Sequence, residues 1–270
     1  MAQDLKDLGR LFAHAMRLVD AAQNAGISGI AWSFGGGAAL MRRYRHRLSI
    51  GVDLFVPNPW MLGCLRPRLN ESVRTVTVNY VEDREVVAFF FPEGHVAFIV
   101  GGLLTPEPVR REAIQGRRVL VQTSAEILAR KLEHRAATFT ARDLFDFAAV
   151  ASREAEALRL LAPALQAHRG VLLERLRDRD AALREDFAAL DTLEFNPTYD
   201  ECVDALKAAL MACSPPHRIE QDRARYRVRR TMACFPLLTT MIDAQREMCL
   251  PIQEFAALDR KSLMLADTRL

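Results

Sequence analysis

Apolar positions in residues 4–24 fall at Leu5, Leu8, Leu11, Phe12, Met16, Val19 and Ala22. This is the spacing of one helix face, and Gly26 supplies a stop. The pattern then changes. Residues 28–34, SGIAWSF, read as a strand, and Gly35-Gly36-Gly37 lets the backbone turn sharply into a short helix, AALMRRY. SIGVDLFV, 49–56, predicts a second strand, ended by Pro57-Asn58-Pro59. The runs at 73–81, 85–91 and 95–100 predict three more strands, the last two joined as a hairpin through the turn at 92–94. Residues 117–123 close the strand-rich half.

From Ser124, a good helix N-cap, the apolar period lengthens to that of a helix. Helices are predicted from Ser124 through Leu132 and beyond, and over 140–152, 154–167, 170–190, 198–212 and 218–245. Pro163, Pro215-Pro216, Pro236 and Pro251 interrupt or separate these segments. No internal repeat and no low-complexity linker is visible. The predicted class is α+β: a mixed sheet with helices over 1–123, then a helical half over 124–270 packed against it.

Composition changes this picture little. Half of the 270 residues are hydrophobic and 26% are charged, as in ordinary globular chains. A net charge of +3 is too weak to argue for a nucleic-acid partner. Arg42, Arg43, Arg45, His46 and Arg47 do crowd together, but such a run is more often a solvated face than an RNA contact. The five cysteines, Cys64, Cys202, Cys213, Cys234 and Cys249, form no C-x-x-C pair, so reduced thiols in a cytoplasmic protein are expected. The longest apolar stretch, 96–104, is too short to span a bilayer, and the N-terminus has no signal-peptide core. No membrane partner is expected.

The chemistry concentrates around the glycine turn. A strand, a glycine turn and a helix, followed by a strand with acids at i and i+2, form a recognisable device. Glycines let backbone N–H groups approach phosphate oxygens. Acids two apart lie on one strand face, where they hold Mg²⁺ against a triphosphate. The second strand here carries Asp53, but Gly51 stands two positions before it.

The run GGAALMRRYRHRLSIGVDLFVPNP, 36–59, resembles the core of the AbiEii/AbiGii toxin family of nucleotidyltransferase-fold proteins. Those carry Gly-Gly-Thr/Ser-Ala-Leu, then His-Arg-x-Ser, then Asp-x-Asp-hydrophobic-Phe. Downstream, EILARKLEHRAATFTARDLFDF, 126–147, resembles the family's helical motif, Lys-Leu, an Arg, then Arg-Asp-x-x-Asp. Looser similarity runs to about residue 195. The resemblance implies a nucleotidyltransferase-like N-terminal half and transfer of a nucleotide from an NTP, with Mg²⁺, to RNA, tRNA in particular. It implies a bacterial toxin–antitoxin or abortive-infection (phage-defence) setting, with a cognate antitoxin protein as partner.

Carried onto this chain, the resemblance assigns nucleotide binding to Gly36, Gly37, Arg47, Ser49, Lys131 and Arg135. It assigns catalysis to Asp53, Lys131 and Asp143, metal binding to Asp53, and a polar network to Arg142 and Asp146. The chain departs from the family at three points. Gly51 replaces the first metal-binding Asp, Ala97 stands where a third acid often lies on a neighbouring strand, and Ala38 replaces the hydroxyl of the glycine turn. The expected result is a transferase with weakened or lost activity. The alternative is a pseudoenzyme that binds a nucleotide, an RNA or a protein.

The residues also admit blander readings. Lys131 and Arg135, at i and i+4, share a helix face that either binds phosphate or is simply solvated. Asp143 and Asp146 serve catalysis or a structural salt-bridge network. His46 reads as a turn-stabilising hydrogen bonder, and His95, His134, His168 and His217 as structural or surface residues.

Overall fold

The structure is a computed structural model that describes residues 2–24 and 29–213. The stop at Gly26, the helix expected over 218–245, His217, Cys234 and Cys249 lie outside the described residues.

Seven strands of the described residues form one mixed sheet. In chain order they are β1 (Ser33–Gly35), β2 (Gly51–Val56), β3 (Tyr80–Glu82), β4 (Val86–Phe91), β5 (Gly94–Val100), β6 (Val109–Ile114) and β7 (Arg117–Gln122). Their order across the sheet is β3-β4-β5-β2-β1-β7-β6. The β2–β5 and β1–β7 pairs are parallel, and the others are antiparallel.

Strand alternation sorts the side chains onto two faces. One face carries Phe34, Val52, Leu54, Val56, Val96 and Phe98, all buried in the core or packed against it. Helix α1 (Ala2–Asn24) contributes Leu8, Leu11, Phe12, Ala15 and Leu18 to the same core, with the Phe12 and Phe34 rings 5.5 Å apart edge-on. The other face carries Gly35, Gly51, Asp53, Phe55, His95 and Ala97. This second face holds the chemistry.

The remaining helices are α2 (Gly36–Tyr44), α3 (Pro59–Cys64), α4 (Glu71–Arg74), α5 (Ser124–Arg135), α6 (Ala141–Ala151), α7 (Ala155–Asp178), α8 (Asp180–Ala188) and α9 (Tyr199–Ala212). Helix α5 reaches the second sheet face, where the Arg130 guanidinium lies 4.3 Å from the Phe55 ring centre. The segment after α2 is tied to the helical part by main chain. Leu48 N–H donates to Asp191 at 2.8 Å, Leu193 N–H to His46 at 2.9 Å, and Glu194 N–H to Arg45 at 2.8 Å. His46 and Arg47 are thereby held like a short strand against the 191–194 loop.

Several elements differ from the sequence expectation. Where a strand is expected at 73–81, the chain forms α4 and then β3. Asn58 and Asn70 start α3 and α4 by accepting the N–H groups of Met61 and Val73. Thr123, not Ser124, caps α5, accepting the Glu126 N–H, while the buried Ser124 hydroxyl meets Arg43 and Tyr44. β6 is an edge strand with polar sequence VRREAI, in which only Ile114 is buried. Gln115 and Gly116, both at positive φ, close its two-residue hairpin to β7. The segments 154–167 and 170–190, expected as two helices, instead give one helix through residue 178 and a second from 180. Pro163 and Gly170 both face solvent, while Leu161, Leu165, Leu172 and Leu176 keep one buried stripe through the helix.

Candidate active site

The site is built on the register of β2 against β5. Gly51 lies opposite His95, and Asp53 lies opposite Ala97. Each strand thus offers one polar side chain and one near-absent one, in alternation. An ideal Cβ on Gly51 would overlap the His95 imidazole, so that ring occupies the space a side chain at 51 would take. His95 is buried. No ligand spacing in the sequence marks it, and it reads there as a structural or surface residue. Its pairing with Gly51 is visible only in the matched spacing of the two strands, Gly-x-Asp against His-x-Ala.

Asp53 is partly buried and, among the described residues, accepts no hydrogen bond. Burial pushes its carboxyl pKa up from the usual value. His95, Arg135, Lys131 and Arg47 oppose that rise through their positive charge. Asp53 is therefore a carboxylate kept in a site that does not fully compensate it, which is a mark of functional positions.

The glycine turn closes over these residues. β1 ends at Gly35, paired with Asp53, and Gly36 opens α2 at φ +68°. A side chain on Gly36 would run into the Asp53 carboxylate, so both its backbone angle and its surroundings require glycine. An ideal Cβ on Gly37 would stand 2.8 Å from Arg47 Nη2 and 3.3 Å from Ser49 Oγ. The turn therefore brings Asp53, Arg47 and Ser49 up to the start of α2. Ala38, at the next position, is fully buried.

Behind the turn lies a buried charge network. Asp146 accepts from Arg47 Nε at 2.6 Å and Arg47 Nη2 at 2.8 Å, a bidentate pair. It also lies 2.7 Å from His46 Nε2 and 2.7 Å from Lys131 Nζ. Lys131 Nζ donates at 2.5 Å to Asp143 Oδ1, which also accepts from Arg135 Nη2 at 2.6 Å. The second Asp143 oxygen accepts from the Thr140 hydroxyl at 2.9 Å and the Thr140 N–H at 3.1 Å, completing a capping box that starts α6.

Both carboxylates are fully buried. Burial alone would raise their pKa values, but the paired cations win. Arg135 and Lys131 hold Asp143 down at about 2. Arg47 and Lys131 hold Asp146 well below the usual carboxylate range. Burial pushes the His46 pKa down against the pull of Asp146. A neutral ring then donates from Nε2 to Asp146, leaving Nδ1 as a buried atom without a hydrogen-bond partner among the described residues.

The structure thus gathers Gly36, Gly37, Arg47, Ser49 and Asp53 at the turn, and Lys131, Arg135, Asp143 and Asp146 behind it. Arg142 is half-buried on α6 beside Asp143. The rest of the arginine run is engaged internally rather than forming a bare basic patch. Arg42 pairs with Glu112, Arg43 donates to Ser124 and to the Gln122 carbonyl, and Arg45 pairs with Glu194 at 2.9 Å.

A two-ion Mg²⁺ site needs several anionic oxygens near the reacting phosphate. The positions that the sequence resemblance leads one to expect in that role, 51, 53 and 97, hold Gly51, Asp53 and Ala97, with one carboxylate among them and the His95 imidazole filling the space beside Gly51. Among the described residues, no three His, Cys, Asp or Glu side chains are grouped to hold a metal ion. These residues do not fit a two-ion site.

No curated protein matches the chain. Among solved structures, MenT4, a nucleotidyltransferase toxin from Mycobacterium tuberculosis, is 18% identical over 78% of this chain and 94% of that one, at a TM-score of 0.40. JHP933 from Helicobacter pylori is 17% identical over 76% of this chain and 91% of that one, TM-score 0.42. An antigenic nucleotidyltransferase-like protein from Paracoccidioides brasiliensis is 18% identical over 63% and 91%, TM-score 0.37. Residues 21–221 match the family described as nucleotidyl transferase AbiEii toxin, type IV toxin–antitoxin system. Together with the glycine turn, Asp53 and the Lys131–Asp143 pair in its second motif, that match over most of the chain makes this protein a member of the AbiEii nucleotidyltransferase toxin family.

Proposed function

We propose that this chain is an AbiEii-family toxin in which transfer of a nucleotide from an NTP to RNA, tRNA in particular, is strongly attenuated or lost. The observation that carries this reading is the His95 ring over Gly51, beside the lone carboxylate of Asp53. Losing one electrostatic element aimed at a transition state typically costs about 10²–10³ in rate. Elements that act as a unit do not add simply, but the loss of two acids is large on any count.

The chain's own residues retain the positioning half of the chemistry. Gly36 and Gly37 open the backbone at the start of α2. Lys131 and Arg135 present cations held in place by Asp143. With its pKa near 2 and both oxygens engaged, Asp143 suits the role of a positioning anion better than that of a base working near neutral pH. The retained cations favour, as a second reading, a pseudoenzyme that binds a nucleotide. A cognate antitoxin in a bacterial cytoplasm fits either reading.

The test is incubation of the protein with total tRNA, Mg²⁺ and each labelled NTP in turn. Label at background supports attenuation. Robust incorporation that disappears in Asp53→Ala overturns it and makes the chain a working transferase.

A further inference from the structure

We propose that this site binds a triphosphate anion without a divalent cation, and that Asp53 opposes that binding instead of assisting it. The inference rests on the nucleotide-site reading above and deepens it.

The argument is one of charge. Around the turn stand Asp53, Asp143 and Asp146 against Arg47, Lys131 and Arg135. These six groups are balanced, before any positive charge that the His95 ring adds beside Asp53. Acids at 51 and 97 would make the same site negative by two, and a bare triphosphate would then be repelled until metal ions reversed the sign. Here those acids are absent. An imidazole fills the first position, and an alanine with no exposed surface fills the other. The electrostatic need for a metal bridge between protein and phosphate has gone with them.

The cations differ in what they can offer. Arg47 and Lys131 are almost wholly covered, with side chains 8% and 7% exposed, and both are committed to Asp146. Arg135 is 24% exposed and gives one Nη2 bond to Asp143, so its remaining N–H groups are the accessible donors of the network. Arg135 is thus the cation best placed to meet a phosphate. Asp53 is the opposite case, a carboxylate with no hydrogen bond among the described residues, under the turn where phosphate oxygens would come. In a metal-dependent site that carboxylate is an attractive element, because it holds the ion. In a metal-free site it is a like charge facing the ligand. The sign of its contribution therefore separates the two kinds of site.

The experiment measures binding, not transfer. Fluorescently labelled ATP and GTP are titrated with the full chain by anisotropy, once in excess EDTA and once in Mg²⁺. The expected affinity in EDTA equals or exceeds that in Mg²⁺. Asp53→Asn, which keeps the shape and removes the charge, is expected to tighten binding in EDTA about threefold or more, and Arg135→Ala to weaken it about tenfold. Thermal melts of each variant confirm that it is folded. The proposal is overturned by weakening of more than about threefold in EDTA, by any weakening in Asp53→Asn, or by no saturable binding of either nucleotide up to about 1 mM. Failure here is distinct from failure of the attenuated-transferase reading. That reading falls only if label enters RNA, which this titration does not measure.

Discussion

The His95 imidazole stands where a side chain on Gly51 would begin, across the parallel pairing of β5 with β2. The two residues form one packing unit, large against absent. The first prediction follows. Gly51→Ala places a methyl group into the ring and is expected to cost about 1–3 kcal/mol of stability. Adding His95→Ala clears that space, so the two substitutions are expected to be strongly non-additive in a double-mutant cycle by urea denaturation. Additive costs would mean that the ring does not fill this space.

Lys131 bridges two fully buried carboxylates. Lys131→Met leaves both short of a partner, and breaking a buried ion pair from one side costs about 3–5 kcal/mol. Replacing Lys131, Asp143 and Asp146 together with apolar residues of similar volume removes the uncompensated charge, and should cost clearly less than that single change. Equilibrium unfolding in urea measures both. A Lys131→Met variant as stable as the parent would contradict the network.

The carboxylates predict opposite pH effects. Asp143 and Asp146 have folded pKa values below their unfolded value of about 3.9. Their stabilisation is fully present above that unfolded value and is lost as pH falls through the folded values. For Asp143 the window is roughly pH 4 to pH 2 and the loss about 2 kcal/mol. Asp53 has a raised pKa, so its charged form destabilises the fold at neutral pH, and acidification relieves that cost. Asp53→Asn is accordingly expected to raise the urea midpoint at pH 7, with the gain shrinking as pH falls through the folded pKa of Asp53. A lower midpoint at pH 7 would contradict this.

Much of the fold could be read from periodicity. α1, β2, the β4–β5 hairpin, α5, α6 and α9 all pair a regular apolar pattern with a buried face. What escaped had other causes. β6 lies at the sheet edge, so burial imposes little apolar pattern on VRREAI. The start of α4 depends on one asparagine side chain, and α7 ignores Pro163 because its buried leucines all lie on the opposite side. The site divides in the same way. Gly36, Gly37, Asp53, Lys131 and Asp143 stand in local motifs. His95 meets Gly51 only through strand register, and Asp146 meets partners about a hundred positions away, His46 and Arg47. Neither relationship is written in any single stretch of sequence.

The central claim is that transfer is crippled because an imidazole and an alanine occupy the places of two acids. The most direct measurement restores them. The triple variant Gly51→Asp, His95→Ala, Ala97→Asp is compared with the parent for labelled NTP incorporation into tRNA in Mg²⁺, with Asp53→Ala added to each. The account predicts background label in the parent and a gain of about 10²-fold or more in the triple variant, abolished by Asp53→Ala. Robust incorporation by the parent, with no further gain in a folded triple variant, would contradict it.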